Sequence, residues 1–155
     1  MKILWIVNII FPYPALKINK SKNVTLGWLY GLYDTLIKNK KINLAIAATY
    51  DGKEFQKFED DNGTIYYLLP CKNQLKYDKK LKKYWRKVVD DFKPDLAHIH
   101  GSEYAHALPF IEECQKIKTV TSIQGLCSVY AKMYYANIDF KNLLFGISFR
   151  DLIKF

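Results

Sequence analysis

The sequence predicts an α/β fold in which a parallel sheet is sandwiched between helices, and three observations carry that expectation. Four short apolar runs, Lys2 to Ile9, Ile42 to Thr49, Asp95 to His100 and Lys118 to Ile123, have the length of strands buried within a sheet. Segments with helical spacing of their apolar residues lie between them. Two of the runs end in a hydrogen-bonding side chain followed by glycine, His100-Gly101 and Gln124-Gly125. Ligands of open α/β sheets bind at that carboxyl edge.

Lys2 to Ile9 is rich in β-branched and aromatic residues and opens the sheet. Asn8 interrupts the run and no small-residue cleavage site follows, so it reads as a strand rather than a signal peptide. Pro12 and Pro14 then oppose both helix and strand, and Ala15 to Asn23, polar and lysine-rich, reads as a long mobile loop. A helix is expected from about Val24, with Thr25, Trp28, Leu29, Leu32, Leu36 and Ile37 recurring at helical spacing. Gly27 falls in its first turn, where a glycine lets a backbone or a ligand phosphate approach free amide groups. After the second strand, Lys53 to Phe58 and Thr64 to Leu69 form a hairpin about Asn62-Gly63.

A helix from Tyr77 to Phe92 follows, with Tyr77, Leu81, Tyr84, Trp85, Val88, Val89 and Phe92 on one face. Pro94-Asp95 launches the next strand, Tyr104 to Lys116 the next helix, and Lys118 to Ile123 the last strand. Val129, Tyr130, Met133 and Tyr134 suggest a further helix, and Leu143 to Phe155 an apolar tail suited to packing against something else. This alternation is that of a Rossmann-like sheet, here a single domain over residues 1–155.

The composition is that of a globular protein, half hydrophobic and a quarter charged, with no stretch of about 20 apolar residues that would span a membrane. Three cysteines without C-x-x-C spacing, Cys71, Cys114 and Cys127, read as reduced thiols of a cytoplasmic protein. Net charge is +9 and is concentrated between Lys72 and Lys87, where Asp78 is the sole acidic residue. Such a block suggests an anionic partner: a phospholipid surface, a phosphorylated substrate or nucleic acid. Lys76, Lys79, Lys80, Lys83, Arg86 and Lys87 would form the polar face of a helix lying on anionic lipid, on the inner face of the cytoplasmic membrane. The solvated surface helix is the plainer alternative. No nucleic-acid recognition motif accompanies the lysines, so nucleic acid ranks last among the partners.

The chemistry expected at the strand ends is binding rather than nucleophilic attack. Neither Ser102 nor Ser122 sits in a G-x-S-x-G elbow, and no dinucleotide fingerprint or P-loop follows the first strand. His98 and His100 are expected to face opposite sides of the sheet, His98 under a helix and His100 at the edge, where it can donate to a hydroxyl or phosphate. With His106 as the only other histidine, no metal site is expected. Glu103 is placed as an N-terminal cap of the following helix or as a holder of a sugar hydroxyl.

Several of these residues together resemble the N-terminal domain of the family 4-type glycosyltransferases, which have the two-domain GT-B architecture. The resemblance rests on Met1-Lys2-Ile3-Leu4, on Gly27-Trp28, on Lys93-Pro94-Asp95-Leu96-Ala97-His98-Ile99-His100-Gly101 and on Thr119-Val120-Thr121-Ser122-Ile123-Gln124-Gly125, and covers essentially the whole chain. It is nearest to bacterial enzymes of capsular and other surface polysaccharides. It implies an acceptor-binding half of a retaining, metal-independent hexosyltransferase that takes a nucleotide-sugar as co-substrate and needs no further cofactor. The donor would be bound by a C-terminal domain or partner subunit outside this chain, leaving the chain inactive alone. The acceptor would be a saccharide, in many relatives lipid-linked. Gly27, His100, Gly101, Glu103, Gln124 and Gly125 would line the cleft between the halves. The chain departs from the pattern in having Leu26 before Gly27 and Gln124 in place of a histidine. Glutamine binds hydroxyls but takes up no proton near neutrality. A non-catalytic membrane-surface adaptor that retains the fold is the alternative.

Overall fold

In the computed structural model of the protein, residues 1–20, 27–133, 138–139, 141–142 and 146 are described. Strands β1 (Lys2–Val7), β2 (Asn43–Tyr50), β3 (Gln56–Glu59), β4 (Ile65–Pro70), β5 (Leu96–His100) and β6 (Lys118–Ser122) form one six-stranded sheet, in the order β3-β4-β2-β1-β5-β6. All neighbours are parallel except β3, which turns back antiparallel on β4. The sheet and its covering helices occupy Met1–Gly125, and Leu126–Phe155 makes a second compact unit.

Period-two alternation along β1 sorts the core into two layers. Leu4 and Ile6 face Leu81, Trp85, Val88 and Phe92 of α3 (Leu81–Phe92) and Phe110 of α4 (Leu108–Glu113). Ile3, Trp5 and Val7 face Leu29 and Tyr33 of α2 (Gly27–Ile37), with Phe11 from the start of α1 (Pro12–Lys17). Helices therefore cover both faces, as the apolar runs require. The chain winds outward from β1 to β2 and β4, then α3 carries it back across to β5 and β6. The order reverses between β1 and β5, which opens a crevice at their carboxyl ends.

The segment after β1 corrects the expectation of an irregular loop. Pro12 and Pro14 sit in the first turn of α1, where a backbone N–H has no partner within the helix and proline costs nothing. Ala15 N–H then donates to Phe11 carbonyl at 3.0 Å. The expected helix start at Val24 lies outside the described residues. Within α2 the buried face is Leu29 and Tyr33, while Trp28 is 54 % exposed and Leu32 sits at the margin.

Tyr77 lies before α3 rather than on it. Asn73 and Asp78 each accept a backbone N–H two residues on, from Leu75 at 2.9 Å and from Lys80 at 2.9 Å. These side-chain-capped turns hold 73–80 out of the helix. Lys93 ends α3 with a left-handed φ of 53°, and Pro94 prevents its continuation. The helix expected from Tyr104 to Lys116 is shorter than that: a 3-10 turn at Ala105–Ala107 leads into α4, which ends at Glu113. The hairpin is tied to α2 by Asp60, whose Oδ2 accepts the hydroxyls of Tyr33 and Tyr66, each at 2.8 Å. In the second unit, α5 (Cys127–Lys132) realises the helix expected after Gly125. Tyr134 and, Gly146 apart, the tail from Leu143 lie outside the described residues.

Candidate functional site

The crevice at the switch point holds a cleft of about 370 Å³ lined by Asn8 and Ile9 after β1, Trp28 and Leu29 on α2, Gln74, Tyr104 and Gln124. It contains three amide side chains, one phenol and one half-exposed indole, and no charged side chain among the described residues lines it. Gln74 enters from the β4–α3 connection, which crosses the strand ends. Its carbonyl accepts Ala105 N–H at 3.0 Å and its Oε1 accepts the Thr49 hydroxyl at 3.3 Å. A second cleft of about 440 Å³ shares Asn8, Ile9 and Gln74 and extends the crevice toward Lys20, Asp51 and Lys72.

Of the residues singled out in the sequence, Gln124 lines the cleft and Gly125, partly exposed, follows it. Gly101 has φ of +89°, and its N–H donates to Ser122 carbonyl at 3.0 Å, continuing the β5–β6 pairing one step past the strand. A methyl group there would stand 2.7 Å from Glu103 Oε2 and 3.7 Å from Gln124 Oε1. Glycine thus lets Glu103 and Gln124 converge at the end of β5. Gly101→Ala should cost about 1–3 kcal/mol, from backbone strain and this collision, measurable by urea denaturation.

Glu103 does not cap the following helix. Both carboxylate oxygens are buried and have no hydrogen-bond partner among the described residues. Gly27 opens α2, and a Cβ there would meet nothing within 4 Å among the described residues, so their packing does not require the glycine.

The histidines depart most from expectation. Residues two apart on a strand share a face, and the His98 and His100 rings lie 3.9 Å apart, centroid to centroid, on the α2 side with Trp5. His98 is the more accessible of the two and pairs with Ser122 Oγ at 2.7 Å. His100 is wholly buried rather than open at the edge, with Trp5 at 4.6 Å, Trp28 at 5.7 Å and neither ring nitrogen partnered among the described residues. Burial, with a smaller contribution from His98, pushes its pKa down to about 3, so the ring is neutral. His106 is equally buried and held at about 4 by desolvation, against which the Glu103 carboxylate works. No cluster of three or more His, Cys, Asp or Glu among the described residues is disposed to hold a metal ion.

The basic set divides. Arg86 pairs with Glu113, and Lys87 Nζ lies 4.2 Å from the Phe55 ring centroid. Lys79 is exposed, whereas Lys76, Lys80 and Lys83 line a groove beside the crevice.

Asn8, Trp28, Gln74 and Tyr104 were not among the candidate residues. Asn8 carried the same signal as His100 and Gln124, a polar residue closing an apolar strand. Trp28 stands in the sequence only as one of the apolar residues at helical spacing and in the Gly27-Trp28 pair. Uncharged amides beside an exposed aromatic ring can hydrogen-bond neighbouring hydroxyls while the ring covers an apolar face. No family model matches the chain, and neither does any curated protein or solved structure.

Proposed function

We propose that the chain is the acceptor-binding half of a nucleotide-sugar-dependent glycosyltransferase of GT-B architecture, acting in surface polysaccharide synthesis at the inner face of the cytoplasmic membrane. The observation that carries this reading is the uncharged cleft at the switch point. Sugars present vicinal hydroxyls and apolar C–H faces, and Asn8, Gln74, Gln124, Tyr104 and Trp28 offer complementary groups. Gln124 would bind a hydroxyl directly. The Gly101 N–H holds the end of β6, from which Gln124 projects, through the Ser122 carbonyl, Glu103 lies beside both, and the His100 ring packs against that of Trp28. Gly27 and Gly125 would border the face turned toward the donor half. No helix among the described residues is long and apolar enough to cross a membrane. Attachment would therefore fall to basic residues such as Lys79 or to the partner.

Trp28 makes the cleft observable. Trp5 is 1 % and Trp85 0 % exposed, so quenchers reach Trp28 alone at 54 %. Titration with neutral mono- and disaccharides should shift Trp28 emission saturably and protect it from acrylamide. Gln124→Ala should weaken the response about three- to tenfold, the loss of one or two hydrogen bonds, and lower turnover of the complete enzyme. Absence of a saturable response across the sugars would sink the reading.

A further inference from the structure

The groove beside the crevice carries chemistry the saccharide cleft does not use. It encloses about 550 Å³ between the β2–β3 loop and the β4–α3 connection, and five lysines line it: Lys53, Lys72, Lys76, Lys80 and Lys83. Two aspartates share the wall, Asp51 and Asp78. Asp51 is already neutralised by its ion pair with Lys20, and Asp78 Oδ1 accepts the Lys80 backbone N–H. None of the five lysines is ion-paired with a carboxylate among the described residues. Elsewhere on the same basic segment Lys82 pairs with Glu112 at 2.8 Å and Arg86 with Glu113, while Lys79 and Lys87 lie outside the groove without a carboxylate partner among the described residues. Most of the unpaired charge of the segment, on Lys72, Lys76, Lys80 and Lys83, is therefore gathered in a concavity, where Lys53 joins it.

Like charges held close repel, and a concave wall reduces their screening by solvent. α3 adds to the excess, since its first turn contains no acidic residue to offset the positive end of the helix. Tyr84, also in the wall, supplies a hydroxyl, whereas that of Tyr77 donates to Glu112 Oε2 at 2.5 Å. A single carboxylate would leave most of this charge unanswered. A flat lipid surface would touch only the rim.

We infer that this groove is a second ligand site, for a multiply charged phosphate anion of the diphosphate class, bound by Lys53, Lys72, Lys76, Lys80 and Lys83. Lys72 also lines the neighbouring cleft of about 440 Å³, so the anion would sit beside the crevice. The assignment stands on charge and shape, independently of what the uncharged cleft binds.

Inorganic pyrophosphate, titrated by calorimetry into the 155-residue chain at low and at physiological salt, tests it. Saturable binding is expected, with Lys72→Ala and Lys76→Ala each weakening it about tenfold, as for a charge-assisted hydrogen bond. Lys40→Ala, a charge loss at the amino end of β2, should leave it unchanged. Equal losses from Lys40→Ala and Lys72→Ala would mean diffuse attraction and overturn the site. Phosphatidylglycerol vesicles form the second arm. Pyrophosphate competing with vesicles supports a headgroup seated in the groove, and pyrophosphate bound without vesicle binding supports a free diphosphate or its ester. Vesicle or oligonucleotide binding that pyrophosphate does not displace, with no heat from pyrophosphate itself, would overturn the inference in favour of an extended basic surface.

Discussion

Trp85→Ala is expected to lower stability by about 3–5 kcal/mol, a large fraction of what a domain this size possesses. Trp85 is wholly buried in the layer beneath α3 and α4. Its ring meets Phe110 edge to face at a centroid distance of 5.5 Å, and its Nε1–H donates to His106 carbonyl at 3.3 Å. Truncation would leave a cavity between two helices that meet across this ring, and would leave that carbonyl without its indole donor. Trp28→Ala is the matched control. Its ring is half-exposed, so its removal should change stability by about 1 kcal/mol or less. Urea denaturation followed by circular dichroism separates the two. Similar losses in both variants would mean that Trp28 is a packing residue, and would remove the platform from the proposed saccharide cleft.

The strands were legible because a parallel sheet buried on both faces leaves little latitude in composition. The runs beginning at Lys2, Ile42, Asp95 and Lys118 all became strands, and the Asn62-Gly63 hairpin formed where its turn residues stood. Helix limits were less legible because local hydrogen bonds decided them. Asp78 captured the Lys80 amide that a helix begun at Tyr77 would have used, and Pro12 began a helix instead of preventing one. The cleft was half legible. Gln124 and Gly101 announce themselves by ending strands, but Asn8 joins them only once β1 is known to lie beside β5. Nothing local marks Gln74, which reaches the site through the β4–α3 connection and is held there by Thr49 and Ala105. Charge behaved similarly. The lysine block was plain in the sequence, whereas the partition between ion-paired and free cations depended on Glu112 and Glu113, contributed by another helix.

Stability should fall steeply as pH drops from about 6.5 toward 4, before most carboxylates titrate. In the unfolded chain a histidine takes up a proton near pH 6.5. In the folded protein His100 resists until about pH 3 and His106 until about pH 4, because burial disfavours the charged ring. Between those limits the unfolded state binds more protons, so stability present above pH 6.5 is lost as pH falls. At pH 5 the loss is roughly 2 kcal/mol per histidine, about 4 for the pair. His98, also depressed by burial, adds in the same direction, and the Glu103 carboxylate near His106 offsets part of the effect. Asp51, Asp91 and Glu112 are held low chiefly by hydrogen bonds from Lys20, Lys57 and Lys82, so their contributions disappear only below about pH 4. Urea denaturation at pH 7, 6 and 5 measures the slope, and His100→Phe should reduce it by nearly half whatever that change does to stability at pH 7. An unchanged slope in His100→Phe would mean that the ring takes up its proton in the folded protein almost as readily as in the unfolded one. The floor beneath Trp28 would then be charged at mildly acidic pH, and the uncharged character on which the saccharide reading depends would hold only near neutrality and above.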